Sequence, residues 1–309
     1  MTKAQVKDII ATADSQKPFS EGVDSSAYLI DDKYIVTIKK ENTSFFNSQK
    51  KMKQISDELR EKGVDTPEIY FTGKVGGRQV CIQEYVEGNS VFLFADTKDI
   101  PMRTGMGEYA SVPSSDRPEG LNNLTHQHNI GMSKILAHAP QEIFDKFLQS
   151  MVTCYENDCE IDTTGENFRL GNNGIKMIDL PDEKCEGFDD PHREAFKGMC
   201  YVLTAGPKHT ESFEKGRRDP DGRLMQNAFA ETEDPILNKC IQAALKMNID
   251  QEIIIEAVSA VIKRPFQAVL DTQPQEKSMG EITQARQKLN AMILQESKKI
   301  TTPTSREIC

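Results

Sequence analysis

The sequence predicts an α+β chain in two lobes, a small β-rich one over residues 1–90 and a larger helical one over 91–309. Three observations predict it. SSAYLI with YIVTIK, and EIYFTG with RQVCIQEYV, are β-rich runs joined by short polar or glycine turns, the pattern of antiparallel hairpins. Between the pairs, Phe46, Met52, Ile55 and Leu59 recur at helical spacing over 45–62. After about residue 125 the apolar spacing is helical, interrupted by one short hairpin.

Residues 3–13 are read as a short helix. The β-rich runs follow as β-β-α-β-β, and Gly63 supplies the stop of the intervening helix. Residues 96–125 are rich in Gly, Pro and Ser and are read as a long loop or insertion. Ile143, Phe144, Phe147, Leu148, Met151, Val152 and Tyr155 keep the 3.6 period over 140–157, and Pro140 suits the first turn. NFRL and IKMID flank GNNG, a strong turn signal. Helices are expected over 191–204, 236–247, 250–263 and 277–298, with a polar loop over 206–235. The segment 277–298 is amphipathic, which suits packing on the large lobe or a protein partner.

Composition removes several classes of function. A formal net charge of −10 argues against general nucleic-acid binding. No apolar run is long enough to span a membrane. The first residues lack the apolar region of a secretory signal, so a cytoplasmic location is expected, with export by a route lacking such a signal left open. The seven cysteines include no CxxC pair and read as reduced thiols. Cys154 and Cys159 with His126 or His128 match no zinc spacing. His126-Gln-His128 lies in a polar stretch and reads as solvated, and no G-x-S-x-G motif is present.

The residues with chemical promise are Asp162, Asn167 and Asp179. Asn167 opens the first strand of the GNNG hairpin and Asp179 closes the second, so the two meet at its open end. Strict pairing sets Asn167 opposite Ile178, one residue short of Asp179. Asp162 stands on the loop entering the hairpin. An amide and a carboxylate there suit magnesium, which takes oxygen ligands and keeps several waters.

The order DxxxxN, strand, turn, strand, Asp resembles the catalytic loop and metal-binding aspartate of the protein kinase and aminoglycoside phosphotransferase superfamily. YIVTIK resembles that superfamily's phosphate-lysine strand, EGVDSSAYLI stands where its phosphate loop runs, and IQEYVEG resembles its interlobe hinge. GVDTPEIY resembles the connection from helix to fourth strand in the small-molecule kinases. The resemblance covers roughly residues 20–205. It implies a bilobal protein kinase-like fold, with Lys39 on the α/β phosphates of ATP and Gly22, Ser25 and Ser26 near the phosphates. The backbone of Glu84 and Val86 would meet adenine, with Gly88 at the crossing. Asn167 and Asp179 would hold Mg2+ or Mn2+, and Asp162 would orient the acceptor hydroxyl. The helix acid for Lys39 would be Glu58, with Asp57 second and Gln54 close behind.

The pattern departs in places. The loop at 21–28 has one glycine, Glu160-Ile161-Asp162 replaces His-Arg-Asp, and no APE-like motif follows Asp179. Only about a dozen residues separate Asp179 from the next helix, which Asp189 or Asp190 would cap. The resemblance therefore implies an ATP-dependent transfer to a small-molecule or atypical protein hydroxyl. Its alternatives are a pseudokinase binding module and an enzyme moving another group such as AMP. The eroded motifs and the insertion are also similar to divergent secreted kinases of intracellular bacteria.

Overall fold

A computed structural model describes residues 1–21, 25–39, 49–92, 120–171, 173–181, 183–213 and 226–262. The chain begins with α1 (Lys3–Asp14), whose first turn is closed by a capping box between Thr2 and Gln5. β1 (Ser20–Glu21), β2 (Ser25–Ile30) and β3 (Tyr34–Lys39) come next, then α2 (Gln49–Glu61), β4 (Ile69–Val75) and β5 (Arg78–Glu84). These strands form a five-stranded antiparallel sheet in the order β1-β2-β3-β5-β4. The tight turn between β2 and β3 bends through Asp31 and Asp32, at φ 52° and 50°. Aspartate tolerates the left-handed region better than most residues. Gly63, at φ 87°, ends α2 as expected.

The chain then crosses through residues 85–88 to β6 (Asn89–Ser90), which joins β7 (Phe168–Leu170) and β8 (Ile175–Met177) in a second, three-stranded sheet. Around it lie α3 (Gly120–Ala137), α4 (Gln141–Tyr155), α5 (Pro191–Phe213), α6 (Gln226–Lys246) and α7 (Gln251–Ile262). The fold is the α+β one expected, a β-sheet region followed by a helical region.

Two cores hold it. In the smaller, Val6, Ile10 and Ala13 of α1 cover Ile30, Val36, Ile38, Val80 and Ile82 on one face of the sheet. The larger fills the helical region around Phe144, Phe147, Phe168 and Phe196. Ile55 and Leu59 of α2, with Val64 just beyond it, belong to this larger core.

Three expectations need correction. The helix α3 starts at Gly120, inside the stretch read as loop, because Leu121 and Leu124 already carry the spacing that continues through His128 and Met132. The polar loop over 206–235 is shortened from both sides. α5 runs on to Phe213, and α6 begins at Gln226 and passes through Pro235. Proline bends or interrupts a helix but does not compel its end when packing continues on the far side. Here Ile236, Leu237 and Cys240 are fully buried directly after it. The rest of the insertion and the segment 277–298 lie outside the described residues.

Candidate active site

The open end of the β7–β8 hairpin is built by alternation of buried and exposed neighbours. Ile161, Phe168 and Leu180 are buried, whereas Asp162 and Asp179 are exposed and Asn167 is half-buried. Each polar side chain thus sits beside an apolar anchor. Phe168 packs edge-on against Phe147, ring centroids 5.3 Å apart. The register pairs Phe168 with Met177, and the Ile178 N–H donates to the Asn167 carbonyl at 2.8 Å. Asn167 therefore faces Ile178, as strict pairing through GNNG requires, and Asp179 is the next residue out.

A single 3-10 turn, Gly165–Asn167, leads into β7. Gly165 is squeezed against Phe92, where an added Cβ would stand 3.0 Å from the phenylalanine Cβ. The Asn167 amide donates to the Asp162 carbonyl at 3.4 Å. One carboxylate oxygen of Asp162, Oδ1, accepts from the Thr164 N–H at 3.0 Å and the Thr164 hydroxyl at 2.6 Å. That local turn fixes the side chain while it stays exposed.

Among the described residues, no group of three or more His, Cys, Asp or Glu side chains is placed to hold a metal ion. The oxygen donors at the hairpin mouth are an amide and a carboxylate. This set suits a hard cation that completes its shell with water and phosphate oxygens, and not one that needs an all-protein cage. Cys154 and Cys159 are buried, and burial pushes both thiols up, away from the thiolate a metal would need.

In the sheet, Lys39 is half-buried and faces Ser25 directly across the β2–β3 pair. Direct cross-strand partners share a face. Ser26 pairs with Ile38, a member of the α1-covered core, and is itself buried. By the pleat, the Ser26 side chain lies on the face away from Lys39 and Ser25. Gly22 falls outside the described residues.

The expected partner acid of Lys39 is also otherwise engaged. Glu58 accepts a 2.7 Å hydrogen bond from Lys184, which holds its carboxyl below the usual range. Asp57 pairs with Lys53 within α2, and Gln54 is exposed. A second bridge, Lys51 to Glu183 at 3.0 Å, ties α2 to the same segment beyond Asp179.

At the crossing, the Glu84 N–H is spent on the Glu68 carbonyl at 2.8 Å, and the Tyr85 N–H on that of Lys33. Gly88 adopts φ 141°, and a Cβ there would stand 2.4 Å from the Leu170 carbonyl oxygen. Only glycine lets the crossing strand lie this close to β7. Asn89 then pairs with Leu170 and Ser90 with Arg169, so the crossing is stitched to the hairpin.

Below it stands a residue the sequence reading misplaced. His128 is buried, its Nε2 2.9 Å from the Ser90 carbonyl. Its spacing to Met132 and Ile135 was the signal, since i, i+4 and i+7 share a helix face. Burial, opposed by the Ser90 carbonyl and aided by Arg169, depresses its pKa to about 4. Because the folded chain resists protonation that the unfolded chain accepts near pH 6.5, this burial costs nothing above that pH and costs stability increasingly as pH falls toward 4. The full span amounts to roughly 3 kcal/mol. The denaturation midpoint of His128→Gln measured from pH 7.5 to 5 should therefore fall less steeply than that of the wild type.

Asp190 caps α5, its Oδ1 accepting from the Arg193 N–H at 3.0 Å.

The order of elements is an antiparallel sheet with one helix between its third and fourth strands, an extended crossing, and a helical region holding a two-stranded hairpin. No protein-family model and no curated protein matches the chain. Solved structures with which it aligns include the streptomycin–ATP complex of APH(2")-IIa, at 13% identity over 87% of this chain and 98% of that one, TM-score 0.30. The pseudokinase domain of BIR2, an immune regulator of the RLK/Pelle family, aligns at 11% identity over 96% and 88%, TM-score 0.36. The GDP and kanamycin complex of APH(2")-IIia aligns at 14% identity over 84% and 98%, TM-score 0.32. No helix among the described residues is long and apolar enough to cross a membrane.

Proposed function

We propose that the chain transfers the γ-phosphoryl group of ATP to a hydroxyl of a small molecule or an atypical protein target. One observation carries the reading: Asn167 and Asp179 come to the open end of a single hairpin, and the Asn167 amide bonds the backbone of Asp162. Asp162 takes the proton of the acceptor hydroxyl as its oxygen bonds phosphorus and the bond to the β-phosphate oxygen breaks, releasing ADP. Lys39 neutralises phosphate charge from the sheet, with Ser25 beside it. The backbone of Val86, and the Glu84 carbonyl, meet the base. Asn167 and Asp179 would hold Mg2+ or Mn2+, which when bound neutralises charge on the phosphates. On this reading residues 1–90 cover the nucleotide and 91–309 carry the chemistry. Residues 180–190 alone link Asp179 to α5, a length that favours a compact acceptor over a peptide bound along a platform.

Melting measured with millimolar ATP, with and without Mg2+ or Mn2+, tests this. Ligand at 100 times its dissociation constant stabilises by about 2.7 kcal/mol, and Asp179→Ala should erase the metal-dependent part. No shift in either condition overturns the proposal.

A second reading, a nucleotide-binding scaffold without transfer, is favoured by the Glu58–Lys184 pair, which leaves the expected helix acid engaged away from the sheet. ATP labelled at the γ position, against ATP labelled at the α position, separates the readings. Label from the γ position on an acceptor supports phosphoryl transfer, label from the α position supports AMP transfer, and neither supports the scaffold.

A further inference from the structure

β8 has three residues and, among the described residues, lies at the edge of its sheet with β7 as its strand partner. A short edge strand is held weakly by its own ladder, yet Asp179 stands only two residues beyond its end. Something else must fix it. Lys176, in the middle of β8, places its Nζ 3.2 Å from Glu84 Oε1 and 3.3 Å from Asp65 Oδ1. Glu84 is the last residue of β5, where the chain leaves for the crossing, and Asp65 lies between α2 and β4. The other Glu84 oxygen, Oε2, accepts from the Glu68 N–H at 3.1 Å and stands 4.0 Å from Arg60. The backbone runs beside these side chains: the Met177 N–H donates to the Asp65 carbonyl at 3.1 Å.

One lysine thus joins the strand before Asp179, the end of β5 and the turn after α2. Its side chain is 21% exposed and that of Glu84 33%. Shared between two carboxylates and partly withdrawn from water, it differs from the isolated surface pairs that contribute little.

We propose that Lys176 is a positioning residue, which sets the metal-side carboxylate of Asp179 relative to the crossing where the nucleotide base would lie. The proposal rests on the function inferred above. Only Met177 and Ile178 separate Lys176 from Asp179, a span of roughly 10 Å at most in extended chain, so a shift of β8 is passed on to that carboxylate. The ion network gives the base side of the site and the metal side a common support.

Lys176→Met and Lys176→Arg test it, with Asp14→Asn, which breaks the exposed Arg78–Asp14 pair, as the control. In ligand-free protein, Lys176→Met should speed amide exchange at Met177 by about tenfold, and Lys176→Arg should restore protection. With ATP present, the metal concentration giving half the metal-dependent melting shift should rise at least about threefold in Lys176→Met, while the shift from ATP alone is kept. An unchanged half-point, or equal loss of the ATP-only and metal-dependent shifts, overturns the positioning role. If the wild type shows no metal-dependent shift, the proposed function is what fails, and unchanged exchange at Met177 would still dispose of the positioning role of Lys176.

Discussion

On the proposed function, Asp162→Ala is expected to lower phosphoryl transfer by roughly 10²–10⁴-fold, the range of a lost general base, while nucleotide still binds. The side chain is exposed and its two hydrogen bonds are local, both to Thr164. Their loss leaves groups that water can reach, so the melting temperature should move by no more than about 2 °C. Few positions allow so clean a separation of chemistry from stability. Rates of labelled transfer from ATP, set beside melting curves of the same preparations, read both quantities. Transfer at the wild-type rate would remove Asp162 from the mechanism.

Phe168→Ala should do the reverse and damage the frame. The ring is fully buried and packs edge-on with Phe147. Deleting a buried phenylalanine costs about 3–5 kcal/mol, through lost transfer energy and the cavity left behind. That is a large share of the roughly 5–15 kcal/mol available to a native protein. The damage is placed where it matters, because Phe168 directly follows Asn167. Phe168→Leu keeps most of the volume and should cost much less. Urea midpoints for the two variants check this, and equal midpoints would show that the ring's fit is unimportant.

Much of the site's frame could be read from local chemistry. GNNG sets the hairpin register, and the observed Asn167–Ile178 pairing is the one it dictates. Asp31 and Asp32 mark the β2–β3 turn because they accept positive φ. The face of Ser26 was also legible, since neighbours in a strand point to opposite sides. Other features depend on contacts distant in sequence. Glu58 meets Lys184, and Lys176 meets Glu84 and Asp65, through packing that no local pattern encodes. His128 misled because its immediate neighbours are polar, whereas burial follows the spacing around the helix and not adjacency. The polar stretch 226–235 misled because local composition was set against tertiary packing, and packing prevailed.

The partition of α2 has a mechanical consequence. Its apolar side chains Ile55 and Leu59 are built into the core of the helical region, and ion pairs from Lys51 and Glu58 fasten it to the chain beyond Asp179. The sheet has its own core, closed by α1. The same helix also packs on β4, and its Arg60 reaches Glu68 and Glu84 at the edge of the sheet, so α2 acts as a rivet between the two cores and displacement of either one is passed to the other.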